Sequence, residues 1–199
     1  MRRRWSVLLA ALALTPLLGG CSSDDPAKPP ATRPTPIAEL EVPALRLARA
    51  DFCDRVPSSA VRRALGGDSE GDQQWGNGDP VPGESGTGDI GHEIGCAWTG
   101  TGGAAARAWI FARSVTATLA TSMVRDAGRQ AGCTATTATV FGSPSLLQTC
   151  TSPGGLGRER RAGLFGDSWL TCEVSGPAQQ LRARTDAWCA QVVASLDAG

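Results

Sequence analysis

The chain has 199 residues, with 19 basic and 19 acidic side chains, seven cysteines, one histidine and no tyrosine. This length suits one domain with a real hydrophobic core. All 19 acidic residues follow Cys21 but only 16 of the 19 basic ones do, so the chain from Cys21 onward carries a formal charge of −3. That charge disfavours nucleic acid as a partner, because binding needs many cations to neutralise phosphates. The near absence of histidine and tyrosine removes two common acid–base groups.

The N-terminus has the pattern of an export signal. Three arginines precede an apolar run from Trp5 to Leu18, which is too short to span a hydrocarbon layer of about 30 Å. Leu18-Gly19-Gly20-Cys21 resembles the lipobox of bacterial lipoproteins. The resemblance implies that residues 1–20 are a signal peptide and that Cys21 carries a lipid. We therefore expect the protein at the cell membrane, lipid-anchored on the extracytoplasmic face. The alternative is an ordinary secreted protein in which Cys21 is incidental.

Residues 21–45 are predicted to form a flexible tether. This stretch has few large apolar side chains, so it buries too little surface to offset the entropy of ordering. Proline keeps such a segment extended, at about 3.1 Å per residue. The prolines are Pro26, Pro29, Pro30, Pro34, Pro36 and Pro43.

Residues 46–199 are predicted to form one extracellular domain. A short helix begins after Pro57 and ends at Gly66, because glycine is favoured just past a helix C-terminus. Residues 67–91 are rich in glycine and carry six acidic and no basic side chains. This composition predicts a long acidic loop, and loops of that length are functional or disordered.

The remaining segments alternate between strand and helix patterns. Residues 116–130 and a segment from Pro177 onward predict amphipathic helices. The charged segment Arg158 to Arg161 is predicted to be a solvated turn. Together the elements predict an α+β fold, in which an antiparallel sheet has helices packed on one face. The predicted strands are 94–98, 108–112, 137–141, 146–150, 161–165 and 168–174.

Six cysteines remain after Cys21, and an even number in an exported chain predicts disulfide bonds. Six cysteines allow about fifteen connectivities. We predict the sequential one, in which the pairs are Cys53–Cys96, Cys133–Cys150 and Cys172–Cys189. No two cysteines have the C-x-x-C spacing of zinc knuckles or redox motifs, so we expect no metal site and no cofactor.

A set of short motifs recurs through the domain in a fixed order. They are Phe52-Cys53-Asp54, the helix ending in Leu65-Gly66, Gly95-Cys96-Ala97-Trp98, Trp169-Leu170-Thr171-Cys172 and Trp188-Cys189, together with the lipobox. In this order they resemble actinobacterial lipoproteins of the DUF3558 type over residues 51–196. The resemblance implies an envelope lipoprotein with a disulfide-bonded α+β domain, and it implies no catalytic residues.

Three residues are candidate ligand contacts. Trp75 is an indole inside a predicted solvated loop, where it either anchors the loop or offers a surface on which a ligand stacks. His92 and Glu93 follow the loop. A single histidine is a weak indication of a metal site.

Two further patterns have structural interpretations. Asp68, Glu70 and Asp72 resemble the start of a calcium-binding loop, but Gln73 occupies the position that requires glycine, which favours a solvated loop. The other tryptophans of the domain are predicted to pack against the disulfides in the core. They are Trp98, Trp109, Trp169 and Trp188.

No catalytic residues are predicted, because the chain has no G-x-S-x-G motif and its only histidine base is His92. We expect a non-enzymatic ligand-binding or sensing module, whose partners are the membrane, through Cys21, and an envelope protein or small ligand. The first alternative is a structural or assembly accessory of an envelope protein complex. A hydrolase without a recognisable motif is the less favoured alternative.

Overall fold

The structure is a computed structural model that describes residues 34–80, 90–138, 140–151 and 155–198. The predicted signal peptide, Cys21, the first part of the tether and residues 81–89 of the predicted loop lie outside these residues. Within the described ranges, no helix is long and apolar enough to cross a membrane.

The described residues form one antiparallel sheet of seven strands and three α-helices. The strand order is β1-β2-β3-β7-β6-β5-β4, so that β3, β7 and β6 lie at the centre and β1 and β4 at the edges. The helices are α1 Ser58–Leu65, α2 Ala117–Ala127 and α3 Leu181–Leu196. The strands are β1 Ser69–Trp75, β2 Glu93–Gly100, β3 Ala105–Phe111, β4 Cys133–Ala138, β5 Ser145–Thr151, β6 Gly157–Phe165 and β7 Ser168–Gly176.

One face of the sheet carries the main core, because alternate residues of each strand point the same way. On β7, Leu170, Cys172 and Val174 are fully buried on this face, which we call the helix face. The helices α1 and α3 pack there. Trp188 of α3 lies edge-on to Trp98, with ring centroids 5.3 Å apart.

The helix α2 lies over one end of the opposite face of the sheet. Its Ala120 is buried with Leu146, Ala162 and Trp169, which alternate with the residues of the helix face. The predicted α+β fold, an antiparallel sheet with helices packed against it, is confirmed. The two helices α1 and α3 share one face, and α2 is a smaller addition on the other.

Three disulfide bonds join the fold in the sequential pairing. Cys53–Cys96 ties the 3-10 turn before α1 to β2, and Cys172–Cys189 ties β7 to α3. Cys133–Cys150 joins directly opposed residues of β4 and β5. The bonds Cys133–Cys150 and Cys172–Cys189 each join cysteines 17 positions apart. On the chain-entropy model, each bond stabilises the folded state by about 3 kcal/mol. The bonds indicate an oxidising, extracytoplasmic environment.

Two segments predicted as a loop and a turn are strands in the structure. Their polar and charged side chains lack the alternation of apolar residues by which a strand is recognised. Residues 69–75, predicted within the 67–91 loop, form the edge strand β1, in which only Trp75 is buried. Its backbone pairing with β2 holds it, and polar side chains suit an edge strand. Residues 158–161, predicted as a turn, belong to β6. Here charges point to both faces, which removes the apolar alternation.

The predicted tether is too long at its C-terminal end. Ile37 is 6% exposed and lies in the main core, against which Leu40, Val42 and Leu45 also pack. Residues 34–45 are therefore part of the domain. The apolar side chains spaced along this segment pack on the core although its prolines favour an extended chain. Proline does not prevent this packing, because it is tolerated in an irregular segment that forms no helix or central strand.

Ile37→Ala tests this boundary. If Ile37 belongs to the core, its truncation should lower the free energy of unfolding by about 2–4 kcal/mol, because it leaves a cavity. Glu39→Ala is the control, since Glu39 is exposed in the same 3-10 turn, and we expect a change within about 0.5 kcal/mol. Urea unfolding followed by tryptophan fluorescence measures both. If both substitutions change the free energy of unfolding by the same small amount, residues 34–45 belong to the tether and not to the domain.

Candidate functional site

Beyond the end covered by α2, the second face of the sheet carries a row of charges. Arg107 of β3, Glu173 of β7 and Arg160 of β6 are directly opposed in register. The Arg160 guanidinium approaches Glu173 Oε2 to 2.7 Å, and Arg107 Nη1 lies 3.9 Å from Oε1. Glu173 is 4% exposed. Because one buried carboxylate serves two guanidiniums, the row keeps a surplus of positive charge.

The adjacent row of the same face adds two indoles. Trp109 of β3 has the Arg160 guanidinium carbon 5.3 Å and the Arg107 guanidinium carbon 6.0 Å from its ring centroid. The Arg107 carbon also lies 5.9 Å from the Trp75 ring. These are cation–π contacts, worth about 0.5–2 kcal/mol each according to exposure. We call Trp75, Glu93, Arg107, Trp109, Arg160 and Glu173 the Arg–Trp cluster.

Within the cluster, Gly95 and Glu93 fix the position of the Trp75 indole. A Cβ atom on Gly95 would collide with Trp75 Cζ2 and would lie 2.8 Å from Trp109 Cβ, so glycine is required for the indole to cross β2. Trp75 Nε1 donates to Glu93 Oε1 at 3.1 Å. Desolvation by burial raises the pKa of Glu93, against the lowering effects of the Trp75 hydrogen bond and of Arg107 and Arg160.

The upper side of the cluster reaches solvent. The Arg107 and Arg160 side chains are 23% and 25% exposed, and Trp109 is half-buried. By contrast Trp75 and Glu173 below them are buried. The cluster is therefore held rigidly from beneath while an indole and two guanidiniums remain accessible.

Arg158 extends the positive surface by one row. It lies two residues before Arg160 on β6 and is opposed by Cys150 of β5. Its Nη2 is 3.3 Å from Cys150 Sγ and 3.9 Å from Cys133 Sγ. Among the described residues, it has no carboxylate within 4 Å, and its buried Nε has no hydrogen-bond partner. A guanidinium without a counter-charge is a site for an incoming anion.

The structure brings two of the three candidate ligand contacts together. Trp75 and Glu93 form a hydrogen-bonded pair within the Arg–Trp cluster. Trp75 is 3% exposed, so its face is covered by the cluster. His92 is exposed and lines a separate cleft of about 250 Å³, together with Phe111, Val115 and Leu119. Their role in binding a ligand stays a prediction.

A second cleft opens on the helix face between α1 and β1. It has a volume of about 360 Å³ and is lined by residues that include Val61, Asp72 and Trp98. The exposed ion pair between Arg62 and Asp68 lies at its rim, with Nε and Oδ1 2.8 Å apart. Across the described ranges, no three His, Cys, Asp or Glu side chains are grouped to hold a metal ion.

The sequence patterns do not identify Arg107, Trp109, Arg160 and Glu173 as one surface. Trp109 was predicted in the core, yet it is half-buried on the face opposite the main core. A signal was present in β3, where Arg107 and Trp109 alternate with the buried Ala106, Ala108 and Ile110. In β6 this alternation of polar and apolar residues is absent, because the helix face of the strand also carries charges. They are Glu159 and Arg161, which pair with Arg182 and Asp186 of α3.

Glu93→Gln tests the burial of this acid. Burial raises the pKa of Glu93 above its ordinary 4.5, so the folded protein binds the proton more tightly than the unfolded chain. The stability that Glu93 contributes is therefore fully present below pH 4.5 and is lost as pH rises through the folded pKa. Glutamine keeps an acceptor for Trp75 Nε1 but does not titrate. We expect the unfolding free energy of the wild-type protein to fall, relative to the variant, as pH rises.

Urea titrations between about pH 4 and pH 8 measure this difference. Glu70→Gln removes the same charge from an exposed position on β1 and is the matched control. A difference between wild type and Glu93→Gln that is independent of pH, or that grows in favour of the wild type as pH rises, would contradict the account.

Comparison with known proteins gives no match to this chain. No protein-family model, no curated protein and no solved structure matches it. The family resemblance therefore rests on the motifs of the sequence alone, and the chemistry of the site rests on its own geometry: three guanidiniums and an accessible indole on a rigid sheet.

Proposed function

We propose that this chain is a cell-envelope lipoprotein of the DUF3558 type, anchored by a lipid on Cys21, whose domain is a non-catalytic binding module. The lipobox supports the anchor, and the three disulfides support an extracytoplasmic domain. The binding surface is the Arg–Trp cluster with Arg158.

The observation that carries this proposal is the accessible Trp109 between two guanidiniums that Glu173 holds in place. Burial of Glu173 and Trp75 beneath them restricts the side chains before any ligand arrives. A surface ordered in advance loses less conformational entropy on binding. Tryptophan and arginine are also the side chains most enriched among residues that dominate binding energy in protein interfaces.

The occupant that fits this surface is an acidic segment of a protein partner. The surface carries three guanidiniums, on Arg107, Arg158 and Arg160, but only two carboxylates, on Glu93 and Glu173. The surplus charge calls for an anionic group, which arginine binds in bidentate fashion. The side chains stand on adjacent strands and are not among the residues that line the clefts described above, whereas small ligands favour concave sites. A protein surface is therefore favoured over a small molecule.

Site-specific photo-crosslinking in cells tests this proposal. A photoreactive residue replaces Thr99, which is exposed on the same face, or Ala183, which is exposed on α3. We expect the Thr99 position to crosslink a defined protein through a peptide rich in Asp or Glu, and the Ala183 position not to. Arg158→Gln should lower the crosslink yield about fivefold or more, because a binding charge is lost. Arg63→Gln, an exposed arginine of α1, should leave it unchanged.

The outcomes separate the alternatives. A stoichiometric complex that persists through purification would favour the assembly accessory. A crosslink that is equal from both positions, or that does not respond to Arg158→Gln, would overturn the binding face. Turnover of an envelope substrate that is abolished by a single substitution at His92 or Glu93 would overturn the non-catalytic role.

A further inference from the structure

The three disulfides differ in solvent exposure. Cys96, Cys172 and Cys189 are fully buried, and Cys53 is 6% exposed. Cys133 alone is partly exposed, whereas its partner Cys150 is 6% exposed. An incoming thiolate therefore meets a partly exposed cysteine residue at this bond, whereas attack on the other two bonds requires the core to open.

The position of Cys133 in the sheet adds to this access. It lies on β4, an edge strand that pairs with β5 alone among the described strands. Each of the six residues of β4 is exposed or partly exposed, and none is buried. The other two disulfides bind a turn or a helix onto the buried helix face. Local opening therefore costs least at Cys133–Cys150.

Arg158 supplies the charge that such a reaction needs. Its Nη2 is 3.3 Å from Cys150 Sγ and 3.9 Å from Cys133 Sγ, so it lies closer to the buried sulfur. Within the described part of the chain its guanidinium has no carboxylate partner, and its Nε is buried without an acceptor. A guanidinium beside a thiol stabilises the thiolate, and a stabilised thiolate is a better leaving group.

From this geometry we propose that Cys133–Cys150 is a thiol–disulfide exchange site, at which an extracytoplasmic dithiol attacks Cys133 and Arg158 stabilises the departing Cys150 thiolate. The dithiol, a small molecule or an exported dithiol protein, is the reductant. Neither cysteine belongs to the Arg–Trp cluster, but Arg158 is shared by the exchange site and the binding surface. The exchange site is therefore tested by reduction rates of the isolated protein, which need no partner, and the binding surface by crosslinking to a partner.

The step balances as two linked displacements. The first thiolate of the reductant forms a bond to Cys133 Sγ while the Cys133–Cys150 bond breaks and its electron pair leaves on Cys150 Sγ. The second thiol of the reductant then loses its proton and attacks the reductant sulfur of the mixed disulfide, which releases Cys133. Two electrons and two protons pass from the dithiol to the cysteines, and the dithiol becomes a disulfide.

Partial reduction of the full-length chain in detergent tests the proposal, with dithiothreitol as the probe. The reaction is quenched with acid at intervals, free thiols are alkylated, and mass spectrometry gives the reduction rate of each bond. We expect Cys133 and Cys150 to be alkylated about tenfold or more faster than the other four cysteines. Glutathione, a monothiol, should form its mixed disulfide on Cys133 and not on Cys150.

Substitution at Arg158 tests its role. Arg158→Gln should slow reduction of Cys133–Cys150 about three- to tenfold, because the leaving thiolate loses its stabilising charge. Arg158→Lys should restore part of the rate, and Arg63→Gln should have no effect. The rates of the two buried disulfides report any loosening of the fold caused by the substitutions.

Three results would overturn the proposal. They are simultaneous reduction of all three bonds in the wild-type protein, glutathione attached to Cys150 instead of Cys133, and a rate for Cys133–Cys150 that is the same in the wild type, Arg158→Gln and Arg158→Lys proteins.

Discussion

In an antiparallel sheet, neighbouring residues of a strand point to opposite faces, and the register of β3, β7 and β6 carries this alternation across the centre of the molecule. On β7 it sends Leu170 and Cys172 towards α3, and Thr171 and Glu173 away from it. A shift of one residue in this register would exchange the two sets. The apolar core, the Cys172–Cys189 bond and the Arg–Trp cluster therefore all depend on the same pairing.

The two faces of the sheet are closed by different chemistry. Helices bury the helix face, and the hydrophobic effect drives that association. On the opposite face α2 covers one end only, and further along the flat side chains of arginine and tryptophan cover the strands. The buried Glu173 is central there, because removal of both of its partners, Arg160 and Arg107, would leave an uncompensated buried charge that costs about 3–5 kcal/mol.

Much of the fold was predictable from local patterns. The strands β2, β3, β5 and β7 and all three helices carry their period in the sequence, and Gly66 ends α1 with a left-handed φ of +75°. The sequential disulfides agree with the structure because strands and helices that follow each other in the chain are also neighbours in space.

The candidate site was not predictable in the same way. The cluster joins residues of five strands, and its members meet only after the strand order β1-β2-β3-β7-β6 is known. The arginines of β6 looked like a solvated turn, since Glu159 and Arg161 on the helix face find their counter-charges on α3, 23 and 25 residues away in the chain. Local composition carries no information about such partners.

The direct test of the two-faced sheet is the relative accessibility of its tryptophans. Hydroxyl-radical footprinting of the native protein, read by mass spectrometry, ranks the oxidation of each indole. We expect Trp109 to be oxidised several times faster than Trp75, Trp169 and Trp188, which are 3%, 2% and 1% exposed. Oxidation of Trp75 at the rate of Trp109, or protection of Trp109 to the level of Trp188, would contradict this expectation.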